Sequence, residues 1–412
     1  MQSEHHQSER HLRELRLFLE EICCNLCRFQ HVEVDGVAPE QVHISQEAYL
    51  GKPGAYADIR VQPPGCTPYY VEVKCGYPSE RIVSHLLRKY GEFPPPGSPP
   101  TRIVLVVDTR NRPDWAEAER RLTAGLPRTH LEVWDEERLS ALLERRFGLR
   151  VASFSDQDVL ELRAALDAAK GRYAFGDRWT GDELESALLW HFGFWRLKQL
   201  RETRGLDARR ILPPGMYHGV AVLIADLCSF SSYVRDTSDD EVVRYCLTAF
   251  YSKARYDVLN TGGMLYQFVG DEVVALYGLP ERTEGTMEAA LRCARSLVDI
   301  GNAISSEWQR HIDRVQERQG VHIGITLGDM QVVSLRPFGR AHLSAVSDGI
   351  NMAARLFACA GPSEIVVSNA FYQELEPEAQ AGFKHIEPVD ARNMGRINAW
   401  KLSVGSGGIS PA

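Results

Sequence analysis

The sequence predicts a mixed α/β protein with two folded regions joined by helices, and three observations carry that expectation. The stretch YQFVGDEVVALYG, residues 266–278, places apolar and β-branched residues on both sides of Gly270 and Asp271, the pattern of a β-hairpin. HGVAVLIADLCSFSSYV, residues 218–234, begins with a near-continuous apolar run through Val220, Val222, Leu223 and Ile224, which reads as a buried strand. Far upstream, GAYADIRV, YYVEVKCGY and RIVLVVDT read as further strands.

At 412 residues the chain has room for two or three domains. Residues 11–30 read as a helix, GAYADIRV as a strand, PPGCTP as a turn and YYVEVKCGY as the next strand. RIVLVVDT and LEVWDEERLSALLERRFG supply a closing strand and helix. Asp58, then Glu72 and Lys74 separated by one residue, resemble the Asp…Glu-X-Lys pattern of the restriction-endonuclease-like fold. Two positions apart on a strand, Glu72 and Lys74 share a face, where a carboxylate could hold a metal and an ammonium assist water. The same pattern on an exposed strand is a surface ion pair worth little. Charge here is mixed with no basic stripe for DNA. Residues 1–150 are therefore expected to form a restriction-endonuclease-like α/β domain that is non-catalytic. Residues 151–212 read as a helical connector: Leu184, Leu188, Leu189, Phe192 and Trp195 recur at helical spacing before the breaker Pro213-Pro214.

The C-terminal region carries the chemistry. Asp226 closes the apolar strand, which is costly unless the carboxylate caps the strand end or is bound. Ser238-Asp239-Asp240-Glu241 is a capping-box pattern that opens a helix through Val242, Tyr245, Cys246, Ala249 and Phe250. The hairpin tip bears adjacent carboxylates, Asp271 and Glu272, where Asn-Gly or Asp-Gly is usual. With Asp226 on a neighbouring strand, Asp271 becomes one half of a two-metal site of the kind that clamps attacking and leaving oxygens in phosphoryl displacement. In SAVSDGINMAARLFACAG, residues 344–361, a helix from Ile350 is expected to bury Ile350, Ala353, Ala354 and Phe357, leaving Asn351 and Arg355 together on another face.

These three segments resemble the class III nucleotide cyclases, the adenylate and guanylate cyclase family, over roughly residues 216–403. The resemblance implies a domain at 213–405 with a ferredoxin-like βαββαβ core and a mainly antiparallel sheet flanked by helices. It implies two divalent ions, Mn²⁺ or Mg²⁺, on Asp226 and Asp271 with help from the Leu227 carbonyl. Asn351 matches the residue that orients the ribose, and Arg355 the one that stabilises the transition state. The turn at Ser229, Phe230 and Ser231 matches the one that wraps the triphosphate. The family's site forms at a head-to-tail homodimer interface.

The base-reading positions depart from the family's purine members. Four residues before Asp271, where adenylate cyclases place Lys and guanylate cyclases Glu, this chain has Gln267; seven before Asn351 it has Ser344. An amide and a hydroxyl can satisfy the edge of uracil or, flipped, of cytosine. The phrases LYQFVGDEVVALYG, SDGINMAARL and NMGRINAW are similar to the uridylate and cytidylate cyclases of bacterial Pycsar anti-phage systems. The expected substrate is accordingly UTP, with CTP second, and the product a cyclic monophosphate read by a separate effector. Alternatives are an adenylate cyclase with atypical base-reading residues, and a nuclease or nucleotide sensor regulated by a cyclase-like domain. A diguanylate cyclase, whose Gly-Gly-Asp-Glu turn resembles residues 269–272, leaves Asn351 and Arg355 unexplained. Where many purine cyclases have Lys-Gly, this chain reads Met394-Gly395, so Arg392 or Arg396 is expected to supply phosphate charge. His322 stands at a frequently basic, phosphate-contacting position.

Whole-chain properties bound the rest. A net charge of −8 argues against general affinity for nucleic acid or anionic membranes. No apolar stretch reaches the length of a membrane span, and MQSEHHQSERH lacks the apolar core of a signal peptide, so a cytoplasmic location is expected. Nine scattered cysteines fit reduced thiols, and Cys23, Cys24 and Cys27, without a second ligand pair, fit core packing better than zinc.

Overall fold

The computed structural model describes residues 2–93, 99–110, 112–151, 156–205, 207–335, 342–391 and 395–405, with backbone alone at 2–11, 156–160, 334–335, 342–343 and 390–391. It divides into two compact units, residues 1–50 with 55–169 and residues 51–54 with 170–412.

The first unit opens with helix α1 (Gln2–Phe29) and continues through β1 (His43–Tyr49), β2 (Tyr56–Gln62), β3 (Tyr69–Val73), α2 (Ser79–Tyr90), β4 (Thr101–Val106), α3 (Trp115–Gly125), β5 (Thr129–Trp134), α4 (Glu136–Phe147) and α5 (Asp156–Phe175), which spans the boundary. The strands lie in the order β1-β2-β3-β4-β5. β1, β2 and β3 pair antiparallel, and β3, β4 and β5 parallel. Parallel strands are covered on both faces, which is why β4 carries the unbroken run Ile103 to Val106 with no exposure. Ile82, Val83, Leu86 and Tyr90 of α2 and Ala118 and Leu122 of α3 pack with Ile103 and Leu105 in one core. Asp135 caps α4 by accepting the Arg138 N–H at 2.8 Å, and Gly148 ends it in the left-handed conformation at φ 68°.

The second unit adds α6 (Glu183–Arg204), α7 (Ala208–Ile211), β6 (Gly215–Leu227), α8 (Phe230–Asp236), α9 (Asp240–Asn260), β7 (Met264–Val269), β8 (Glu272–Tyr277) and α10 (Thr286–Gln309). It is completed by β9 (Val321–Leu335), β10 (His342–Val346), α11 (Asp348–Ala358), β11 (Glu364–Ser368), α12 (Asn369–Gln373), α13 (Pro377–Gln380), β12 (Lys384–Ala391) and β13 (Gly395–Ser403). The strand order is β12-β13-β11-β9-β6-β8-β7, with β10 paired to β9. Taken in sequence, β6-α9-β7-β8-α10-β9 is a βαββαβ unit whose strands stand 4-1-3-2 in the sheet, the ferredoxin-like arrangement, and its pairings are antiparallel.

Alternation along β9 assigns the covering helices to faces. A Cβ on Gly301 of α10 would meet Val321, whereas a Cβ on Gly324 would sit 2.2 Å from the Ala353 carbonyl of α11. Val321 and Gly324 point to opposite faces, so α10 and α11 sandwich the sheet. Glycine at 324 is what lets α11 approach so closely.

Three expectations change in detail. Asp239, not Ser238, caps α9, accepting the Glu241 N–H at 3.0 Å. The turn expected after Asp226 is confined to Cys228 and Ser229, and α8 begins at Phe230. α11 begins at Asp348 and buries Gly349, Ala353 and Leu356, with Ile350, Ala354 and Phe357 only half-buried. Its cap, Ser347, accepts the Gly349 N–H and donates to the Asp329 carbonyl, while packing of α11 on β9 and β6 decides which face is buried.

Candidate active site

Asp226 lies at the end of β6, directly opposite His322 of β9. Opposed residues of an antiparallel pair share a face, and His322 Nε2 meets Asp226 Oδ2 at 2.8 Å. The other ring nitrogen of His322 lies 3.3 Å from the Ala360 carbonyl, and its ring stands edge-on to Phe357 of α11 at 5.2 Å. The histidine expected at a phosphate-contacting position is thus engaged with the first carboxylate. No local pattern links residues 96 apart; only the register of β6 on β9 reveals the pair.

Asp271 arrives by a different route. β7 and β8 pair from Met264↔Leu276 to Val269↔Glu272, leaving Gly270 and Asp271 as a two-residue tip. Gly270 adopts φ +61°, a conformation that glycine enters without Cβ strain. The Tyr251 hydroxyl of α9 donates to the Gly270 carbonyl, and its ring stacks on Phe268 at 4.4 Å. Fixed in this way, Asp271 lies within hydrogen-bonding reach of Asp226. Burial and that neighbouring carboxylate push its carboxyl up to about 8. Glu272 is also raised, by burial and by Asp226.

Two converging carboxylates, with the His322 imidazole against one of them, are oxygen donors of the kind that suits a hard divalent cation. Among the described residues no three His, Cys, Asp or Glu side chains form a closed cage. The pair therefore fits ions that keep water and substrate oxygens in their coordination shell, as Mg²⁺ does. His322 is placed to orient Asp226, as outer partners of metal-binding carboxylates do.

Ser229 adopts φ 60° between β6 and α8, and its carbonyl accepts from the N–H groups of Ser232 and Tyr233 at 2.9 Å. Half-buried Phe230 begins α8 edge-on to Trp308, and the Trp308 indole N–H donates to the Thr237 hydroxyl at 2.9 Å. Asn351 and Arg355 are exposed on α11, on the side away from buried Ala353 and Leu356. Gln267 is exposed on β7 and Ser344 half-buried on β10. Those two strands are not paired, yet the Tyr266 hydroxyl donates to the Ala345 carbonyl and accepts from the Ala345 N–H, each at 3.3 Å. The links run through the chain neighbours of Gln267 and Ser344 and hold the two positions in one locality. Arg396 is exposed on β13, and Arg392 and Met394 lie outside the described residues.

The carboxylates of the first unit also meet, but in different company. The Glu72 side chain is fully buried, accepts from the Tyr90 hydroxyl at 2.5 Å and pairs with Lys89 at 2.5 Å and Lys74 at 2.9 Å. Asp58 accepts from Lys74 at 2.6 Å and from the Val73 N–H at 2.7 Å. Burial would lower the Lys74 ammonium, but Asp58 and Glu72 overcome it and hold the group well above the ordinary lysine value. The bland expectation of an exposed surface pair is corrected: this is a buried network, and Lys89, contributed by α2, was not foreseen. None of the nine cysteines is in a disulfide. No described helix is long and apolar enough to cross a membrane.

Residues 212–403 match the family model described as the adenylate and guanylate cyclase catalytic domain. Two uncharacterized proteins of Mycobacterium tuberculosis are similar, one 27% identical over 152 residues and the other 24% identical over 253. The matches cover 36% and 61% of this chain but only 25% and 39% of those relatives, so the chain spans well under half of their length. Among solved structures, the adenylyl cyclase CyaB from P. aeruginosa is 16% identical with a TM-score of 0.41, covering 46% of this chain and 96% of that one. The guanylate cyclase domain of RhGC from Catenaria anguillulae, in complex with GTP, is 17% identical with a TM-score of 0.37, covering 46% and 97%. With its paired aspartates on a βαββαβ sheet, the C-terminal half of the chain is a class III nucleotide cyclase catalytic domain of the adenylate and guanylate cyclase type.

Proposed function

We propose that the protein converts a pyrimidine ribonucleoside triphosphate, UTP in preference to CTP, to its 3′,5′-cyclic monophosphate and pyrophosphate, making a second messenger for antiviral defence. The observation that carries the pyrimidine reading is the pair Gln267 and Ser344. Neither has the lysine or glutamate chemistry of the purine readers, and both can donate and accept hydrogen bonds. A pocket built to bond one base discriminates against another by leaving buried polar groups unpaired. The likeness of the hairpin and α11 phrases to Pycsar cyclases supports the defence role and a separate effector that reads the product.

Asp226, the Leu227 carbonyl and Asp271 would hold two divalent cations, Mn²⁺ or Mg²⁺. Such ions, when bound, offset the triphosphate charge and make the 3′ hydroxyl easier to ionise. The chain's own residues position the rest. The α8 turn at Phe230 lies against the triphosphate, Asn351 holds the ribose, and Arg355 meets the charge that develops as the 3′ oxygen attacks the α-phosphorus and pyrophosphate leaves. Arg396, with Arg392, adds positive charge for the phosphates. Exposure of Asn351 and Arg355 on one protomer suits completion of each site by the partner of a homodimer.

Residues 213–405 are the proposed cyclase, 151–212 a helical connector and 1–150 a non-catalytic module. Lys74 and Lys89 support the last assignment, because they neutralise Asp58 and Glu72 from within the chain. The test is incubation with Mn²⁺ and each of the four ribonucleoside triphosphates, with products identified by mass. Cyclic UMP as the main product is expected; cyclic AMP would sink the pyrimidine reading, and Mn²⁺-dependent DNA cleavage would overturn the non-catalytic assignment.

A further inference from the structure

β7 carries Gln267 and leads to Asp271, yet it is the edge strand of its sheet and has a pairing irregularity between Leu265 and Gln267. An edge strand leaves a row of backbone groups without a strand partner, and a bulge re-aims the side chains beside it. The direction of Gln267 therefore depends on what holds β7 from its open side.

Helix α6, which precedes the residues matched to the cyclase family, packs on β7 and α9. His191 Nδ1 lies 2.6 Å from the Leu265 carbonyl, at the point where the register breaks. A carbonyl only accepts, so Nδ1 carries the proton in this bond. The segment around His191 is anchored on both sides. Arg255 of α9 donates to the Leu189 carbonyl at 3.2 Å and lies over the Trp190 ring at 4.4 Å. Two residues after His191, Gly193 breaks the helix at φ 67°, and a Cβ there would come within 3.3 Å of Leu259 on α9. Contacts at 189, 190 and 193 thus fix the imidazole against β7 from a helix held on α9. At the break itself, Tyr266 ties β7 to Ala345, the neighbour of Ser344.

We infer that His191 is a positioning residue for nucleotide selection: its Nδ1–H holds the Leu265 carbonyl and sets the bulge that aims Gln267 at the base. The inference rests on the base-reading role proposed for Gln267 and carries control of base choice to a helix that precedes the residues matched to the cyclase family. It requires the effect to fall on which nucleotide binds, rather than on turnover of a nucleotide already bound.

The experiment compares the full-length chain with His191→Phe, which keeps a flat ring without the donor, and His191→Asn, whose amide can replace Nδ1–H. KM and kcat are read for all four ribonucleoside triphosphates with Mn²⁺, and equilibrium binding for their α,β-methylene analogues, alongside thermal midpoints. His191→Phe is expected to raise KM for the preferred nucleotide about fivefold, the value of one hydrogen bond, and to narrow discrimination among bases by a similar factor. kcat should stay within about twofold, and His191→Asn should recover most of the loss. Unchanged discrimination in His191→Phe, an equal loss for all four nucleotides, or a loss that follows thermal stability and that His191→Asn leaves uncorrected would each overturn the inference. Absence of any cyclic product from the unaltered chain would instead overturn the cyclase reading. In that event the analogue binding decides for or against His191 by the same criterion.

Discussion

The two units of this protein each bring two strand carboxylates together, and they balance the charge in opposite ways. In the first unit Asp58 and Glu72 are met by Lys74 and Lys89, both nearly buried, so the network is closed by its own cations. In the second, Asp226 and Asp271 meet each other, and burial and mutual repulsion push Asp271 up to about 8. A chain that supplies its own counter-charge spends those carboxylates on structure. One that sets a histidine rather than lysines beside its pair leaves carboxylates that an external cation would stabilise in the folded form. Paired carboxylates alone do not distinguish the two; the cations around them do.

The comparison can be broken at several points. Asp226→Asn should reduce cyclase turnover roughly a thousandfold, measured as cyclic product per enzyme with Mn²⁺, because it removes half of the charge that would hold the ions. Residual activity within tenfold of the unaltered chain would remove Asp226 from the site. Glu72→Gln should destabilise the first unit by about 3 kcal/mol, since it removes the carboxylate that buried Lys89 meets at 2.5 Å and leaves it Asp58 at 3.9 Å, and hydrogen exchange in β2 and β3 reports it.

Acidification provides a third test. Burial, then Lys74 and Lys89, lower His85 from 6.5 to about 4. Between those values the unfolded chain binds more protons than the folded one, so stability of the first unit should fall as pH drops through that window. The loss should be on the order of 2 kcal/mol and be much reduced in His85→Gln. The smallest effect has the most telling sign. With chelator present at pH 8, Asp271→Asn should stabilise the second unit by about 1 kcal/mol, because it removes a carboxyl whose ionisation is opposed by burial and by Asp226. The folded group keeps its proton up to about 8 while the unfolded one ionises near 3.8, so the penalty builds from about pH 4 upward and the gain should shrink as pH falls towards 4. Destabilisation by Asp271→Asn under chelation would mean that the two clusters follow one rule.

Much of this was legible in residue order. The two-residue tip at Gly270 and Asp271, the strand ending at Asp226 and the helix bearing Asn351 and Arg355 follow from local periodicity and turn chemistry, which act over a few residues. The strands of the first unit at GAYADIRV, YYVEVKCGY and RIVLVVDT were equally plain, whereas β1 (HISQEAY) escaped notice because its polar residues hide the alternation. Lys89 was invisible as a partner of Glu72, since a helix surface lysine looks the same whether it meets water or a carboxylate. The buried face of α11, at Gly349, Ala353 and Leu356, was decided by its packing on β9 and β6, which local periodicity does not contain.

The sequence by itself determined which chemical groups are present and which short elements carry them: two aspartates at strand ends, an amide at 267 and a hydroxyl at 344, and a glycine at 324 small enough to admit a helix. Tertiary structure alone decided company. Register set His322 on Asp226, the fold of the hairpin set Asp271 beside it, and helix packing set Lys89 on Glu72 and His191 on Leu265. The reason is physical: propensity and periodicity act between neighbours in the chain, whereas charge compensation and desolvation act between neighbours in space.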